Sequence, residues 1–252
     1  MAKAVGIDSG AYELKIVELD GSFRRPKLSK VCIERADVPA AGEDSATVAS
    51  TQVREVLKES GMGRDNLAIA FPSNRTVLRE MTVPFVGKEQ VRRVIKFEAE
   101  GEIHSHSVDD MVVDFHVLEE LESETRVLIA AVPKLELRGR VKSYEDAGIE
   151  PERIDLDAMA LYRVAEWAGC FGEDVAKAAV EAAEAEAEGE EVDEHLPASF
   201  GSSLPGRGIQ ARLVADVGAH STRVVLVAGG DLVDIRAIPV GDDSLAKEIA
   251  TT

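Results

Sequence analysis

Two stretches of the chain place an acidic residue at the tip of an apolar run and follow it with a glycine turn. In the first, Ala4-Val5-Gly6-Ile7 runs into Asp8, the turn is Ser9-Gly10-Ala11, and Leu14-Lys15-Ile16-Val17-Glu18-Leu19 returns. In the second, an apolar run from Arg212 reaches Asp216, the turn is Val217-Gly218-Ala219, and a β-branched run follows Ser221 and Thr222. Two β-rich runs joined by a short glycine-containing turn read as a hairpin. A carboxylate at the end of a buried strand is costly unless something pairs with it. Turn N–H groups at Gly10 and Gly218, with Lys15 and the hydroxyls of Ser221 and Thr222, have the chemistry of a phosphate cradle. Asp8 and Asp216 could hold Mg²⁺ through water, as hard oxygen ligands do; alone, each Asp would be read as capping its own turn. A single Asp-x-Gly is common by chance. A matched pair about two hundred residues apart reads as an internal duplication, with two acid-tipped corners facing one gap.

Other candidate groups have plainer readings. His104-x-His106 sits among Ser and Asp residues with no third ligand, and reads as a solvated loop. His220 reads as a turn residue. Asp155 and Asp157 could form a carboxylate pair for hydrolysis, but Asp157 reads more simply as the cap of the helix after it. Cys32 and Cys170 lack metal-ligand spacing, and no Ser-His-Asp or Cys-His set is visible.

The elements that must position these groups follow from periodicity. After the first hairpin come a strand at 27–38, a helix at 45–60 stopped by Gly61, and a buried strand at 66–71 ended by Pro72. A strand at 76–83, a helix at 88–103 and a strand at 111–118 form a small β-α-β block, 75–126, read as an insert. A strand at 125–132 then returns to the surrounding domain, with a helix at 135–147, a short strand at 152–156 and a helix at 157–168. Residues 172–208, rich in Ala and Glu and then in Ser, Gly and Pro, read as a solvated linker. The predicted plan is therefore 1–74 and 127–171 as one domain, 75–126 as the insert, and 209–252 as the start of a second domain.

The formal charge is −18, from 47 acidic and 29 basic residues, which argues against nucleic acid, since phosphate backbones demand a basic face. No signal peptide and no apolar run near the roughly 20 residues of a spanning helix are visible. The expectation is a cytoplasmic protein with reduced thiols and no direct membrane insertion.

The order VGIDSGAYELKIVEL, AIAFPSNRTVLREMTVP, DDMVVDFHVL, RVLIAAVPKLELRGRVKSYEDAGIEPERIDLDAMALYR and ADVGAHSTRVVLVAGGDLVDIRAIPVGDDSLAKEIA resembles the PilM family, FtsA-like components of type IV pilus machines. The resemblance covers most of the chain outside 172–208. It implies an α/β, actin-like (ribonuclease H-like) fold, an insert shared with FtsA, and a second domain that is truncated at 252. It implies a nucleotide cleft for ATP and Mg²⁺. It also implies a scaffold that docks the cytoplasmic tail of an inner-membrane PilN-like protein beside the insert and couples indirectly to the pilus motor ATPases. The helix carrying Val91, Val94 and Ile95 is assigned as one wall of that docking groove. The family usually carries hydroxyls after the first Asp-x-Gly, where this chain has Ala11, Tyr12 and Glu13. Weak or absent ATP turnover is expected accordingly. The alternatives are an ATP-dependent enzyme of the actin and sugar-kinase fold, an FtsA-like division protein or a GspL-like secretion protein.

Overall fold

Val5, Ile7, Leu14 and Ile16 alternate inward along two facing strands, and the first sheet is built outward from them. The computed structural model describes residues 2–22, 25–104, 107–171 and 211–251. Strands β1 (Ala2–Ser9) and β2 (Glu13–Ser22) pair antiparallel, with Asp8 directly opposite Lys15. β2 pairs antiparallel with β3 (Arg25–Arg35); β1 pairs parallel with β4 (Leu67–Phe71), and β4 parallel with β8 (Arg153–Leu156). The order β3-β2-β1-β4-β8, three antiparallel strands followed by two parallel ones, is the ribonuclease H-like topology of the actin-like fold.

Helix α1 (Ser45–Ser60) starts where Asp44 accepts the Thr47 N–H at 2.9 Å and ends at Gly61 in the left-handed region, φ 59°, the turn that glycine makes without strain. It covers one face of the sheet with Val53, Val56 and Leu57, beside Tyr144 of α3 (Lys134–Asp146). Each such aliphatic side chain contributes about 1.5–3 kcal/mol when fully buried.

A carboxylate also lies inside this layer. The Glu18 side chain is 0% exposed and accepts from Ser29 Oγ at 2.7 Å, Gly63 N at 2.9 Å and Lys3 Nζ at 2.9 Å. The β2–β3 register skips Ser29, pairing Glu18 with Lys30 and Leu19 with Leu28. This bulge re-aims the strand locally and frees the Ser29 hydroxyl for Glu18. These bonds, Ser29 foremost, hold the Glu18 pKa at about 2 against an ordinary 4.5. A carboxyl with a depressed folded pKa stabilises above its unfolded pKa and loses that contribution as pH falls towards the folded one. Stability should therefore decline between pH 4.5 and about 2, and Glu18→Gln should flatten that decline. Urea unfolding midpoints at about pH 3 and about pH 6 measure it.

The insert forms its own sheet. Strands β5 (Val77–Val83), β6 (Met111–Glu120) and β7 (Thr125–Pro133) pair antiparallel in the order β5-β7-β6, backed by α2 (Lys88–Glu98). Sequence reading returns the strand at 125–132 to the surrounding domain and closes the insert at 126. The pairing corrects this: β7 is the central strand of the insert, with Ala131 opposite Val77 and Ile129 opposite Phe115. Its run of apolar residues would suit either sheet, so composition alone does not assign it. α2 also ends earlier than predicted, at Glu98, before a 3-10 turn at Ala99–Gly101.

A second correction concerns α2. Val91 is 0% exposed and Ile95 4%. Both pack with Val83, Met111, Val127, Ile129 and Ala131, and Val94 leans on the same cluster. They are the insert's core and present nothing to a groove, because the helix needs this stripe to hold its own sheet.

The remaining strands β9 (Ala211–Val217), β10 (Thr222–Ala228) and β11 (Asp231–Ile238) form an antiparallel sheet with β10 central, followed by α5 (Asp242–Thr251). One core joins this sheet to the rest. Val225, Val227, Leu232 and Ile235 meet Ala158 and Tyr162 of α4 (Asp157–Trp167), Phe71 of β4 and Leu78 and Leu128 of the insert. The predicted linker at 172–208 and His106 lie outside the described residues. No described helix is long and apolar enough to cross a membrane.

Candidate functional site

Both hairpins close in the same way. Gly10 N donates to Glu13 O and Gly218 N donates to Ser221 O, each at 3.0 Å. Asp8 stands opposite Lys15 in the first ladder, and Asp216 stands opposite Arg223 in the second. The duplication thus extends one step past what sequence reading used. Each hairpin carries a basic residue seven positions after its Asp, and that spacing is the signal by which Arg223 could have been found.

The two basic residues behave differently. Lys15 Nζ lies 3.4 Å from Glu13 Oε2, about half exposed. Arg223 turns inward. Its Nη1 is 2.8 Å from Asp157 Oδ2 and its Nη2 is 2.9 Å from Asp216 Oδ2, with the guanidinium side chain 16% exposed. Asp157 begins α4, so this one side chain joins the C-terminal sheet to the helix that follows β8. Asp157 is held from its other side by Ser73 N at 2.9 Å, the Ser73 hydroxyl, and Ala158 N at 2.7 Å. Asp157 is not the cap expected from sequence, since Leu156 holds that position and Asp157 is the first helical residue; it is a hub, reaching 84 residues back and 66 residues forward along the chain.

Asp8 lies in the same field. Burial pushes its carboxyl above the usual range; Arg223 and Lys15 oppose that shift, while Asp157 and Asp216 add to it. Asp8 thus feels the charges of the second hairpin, while the direct contacts of Arg223 are with Asp157 and Asp216. At Gly218 an added Cβ would come within 3.0 Å of Arg223 Nη2, so the glycine leaves room for the guanidinium.

Several of the donors expected to grip phosphate have partners already. The Gly10 and Gly218 N–H groups close their turns. The Thr222 hydroxyl donates to Val240 O at 2.7 Å. Ser9, which sequence reading passed over, is met by Arg140 Nη2 at 2.7 Å and by the Tyr144 hydroxyl at 3.1 Å. The start of α5 is spent on the second turn: Asp242 N donates to Gly218 O and Asp243 N to Ala219 O. Gly241 permits that approach, since a Cβ there would collide with both carbonyls. His220 Nδ1 lies 3.2 Å from Asp243 Oδ2, in keeping with a turn residue. His104 is exposed, and Asp155 accepts from the next residue's N–H, away from the Asp157 cluster.

Direct ligation of Mg²⁺ by Asp216 does not fit these residues. Mg²⁺ demands near-octahedral oxygen ligands at about 2.0–2.1 Å, whereas the Asp216 and Asp157 oxygens face a guanidinium. Among the described residues, no three His, Cys, Asp or Glu side chains converge to hold a metal ion.

A separate cavity of about 240 Å³ opens where the insert meets the first sheet. Leu78, Leu128, Phe71 and Leu156 form its apolar wall, Val112 and His116 stand on the insert side, and Leu137 of α3 and Met159 of α4 close it. Burial and the nearby Arg163 and Lys88 charges hold the His116 pKa below its usual value.

The family model for the type IV pilus assembly protein PilM matches residues 6–187. The chain belongs to this family. Among solved structures, a PilM-PilN type IV pilus biogenesis complex aligns with a TM-score of 0.73 at 20% identity, covering 98% of this chain and 65% of that one. That likeness shows the shared fold, and the chain spans about 65% of that relative's length. The cytoplasmic domain of EpsL, an inner membrane component of the Vibrio cholerae type II secretion system, aligns at 0.48 and 12% identity over 94% of this chain and 71% of its own. A Bacteroides thetaiotaomicron protein with an actin-like ATPase fold aligns at 0.46 and 10% identity, over 99% and 75%. No curated protein sequence matches.

Proposed function

We propose that the chain is a cytoplasmic scaffold of a type IV pilus assembly machine that docks the cytoplasmic tail of an inner-membrane PilN-like protein. Through that partner it lies peripheral to the inner membrane and couples indirectly to the pilus motor ATPases. Family membership supports the pilus role, and the structurally similar PilM was solved in complex with PilN. The observation that carries the docking reading is the apolar cavity between insert and first sheet. It has the concave, largely apolar character of a site for a short apolar segment, with a few polar groups at its edge. Nucleotide, in this reading, is at most a conformational ligand, because the turn donors that would grip phosphate are engaged within the chain.

The test uses a labelled peptide copying the cytoplasmic tail of a PilN-like protein, followed by fluorescence anisotropy. Val112 lines the cavity and is 42% exposed, so Val112→Arg should fold normally. It should weaken the peptide by about tenfold or more, equivalent to about 1.4 kcal/mol. Equal affinity in the variant and the native chain would remove the cavity as the docking site.

A further inference from the structure

We infer that Arg223 takes the place of a divalent cation beside Asp216, tying the second hairpin to the start of α4 without metal or nucleotide. The inference rests on reading the paired hairpins as a phosphate-type cleft and is independent of the docking cavity.

Four observations converge on it. Arg223 sits at the position in the second hairpin that Lys15 holds in the first, directly across from the hairpin's Asp. It reaches carboxylates from α4 and the second hairpin, Asp157 at 2.8 Å and Asp216 at 2.9 Å, and both its side chain and that of Asp157 are largely buried. Gly218 makes room for its Nη2. Asp8, the third carboxylate of the group, feels Arg223 as its strongest stabilising charge.

The charge arithmetic explains the arrangement. Asp157 and Asp216 both face one guanidinium, which supplies the positive charge that two neighbouring carboxylates need between them. A metal ion bridging phosphate oxygens would meet that need. A guanidinium also meets it, with a fixed planar fork that suits two carboxylates at once. The two solutions compete at Asp216, because the Oδ2 a divalent ion would take already lies 2.9 Å from the guanidinium. A surface ion pair would be a weaker explanation, as it would leave Asp8 and the Gly218 contact without a role.

The experiment titrates Mn²⁺ into the whole chain and follows free Mn²⁺ by electron paramagnetic resonance, with thermal melts in Mn²⁺ and in Mg·ATP. The native chain should leave Mn²⁺ free and show no shift in melting temperature with either ligand. Arg223→Ala should melt lower than the native chain, take up Mn²⁺ at least about tenfold more tightly, and recover part of its melting temperature when Mn²⁺ is added. Arg223→Lys, which keeps the charge, should bind as little Mn²⁺ as the native chain. Saturable Mn²⁺ or Mg·ATP binding by the native chain would overturn the inference, and this arm needs no variant to fold. An Arg223→Ala chain that folds but gains no Mn²⁺ affinity would overturn it as well. Binding of the tail peptide, measured on the same native sample, reports on the docking reading separately.

Discussion

Asp157→Ala should cost about 3–5 kcal/mol, the usual penalty for removing one partner of a buried ion pair. The native carboxylate is 12% exposed and accepts from Arg223, from the Ser73 backbone and hydroxyl, and from Ala158. Removing it strands the Ser73 N–H, leaves Ala158 N with only the Ser73 hydroxyl at 3.3 Å, and leaves Arg223 with Asp216 as its closest anion. The loss should appear as a fall in the urea midpoint. Asp157→Asn should sit between the native chain and the alanine variant, because an amide oxygen can still accept from Ser73 while the attraction to the guanidinium is gone. If the alanine variant matched the native midpoint, the hub would be a surface feature with no hold on α4 and the C-terminal sheet.

Ile129→Ala should cost about 2–5 kcal/mol, the range for deleting a large buried aliphatic side chain and leaving part of the space empty. Ile129 is 0% exposed on the central strand of the insert. It points into the cluster of Val91 and Ile95, while its neighbours Leu128 and Ala130 line the cavity on the opposite face, as strand alternation requires. The substitution therefore loosens the insert without altering the cavity wall. Hydrogen exchange should show β5, β6 and α2 opening together while β1 and β4 keep their protection. Uniform loss across all of these would mean that the insert has no stability of its own.

The first sheet was legible because its strands are marked locally. Alternation, the two glycine turns and the stop signals at Gly61 and Pro72 identify β1 to β4 and α1. The matching closure of the two hairpins was legible from the duplication. Other features depend on pairing across long separations. The run from Val127 to Val132 has the composition of any buried strand, and only its register assigns it to the insert. The stripe of Val91, Val94 and Ile95 correctly announces a buried face, but periodicity does not say what covers it. Arg223 was missed because an arginine in a β-branched run reads as solvent-facing. Its burial depends on Asp157, which lies 66 residues away.

β7 passes into α3 at Pro133 and Lys134 with no intervening loop. Near the start of that rod, Leu137 forms part of the cavity, and one turn further on Arg140 grips the Ser9 hydroxyl next to Asp8. The cavity wall and the contact to the first acid-tipped corner therefore share one helical turn, so a single short element borders both the apolar pocket and the hairpin.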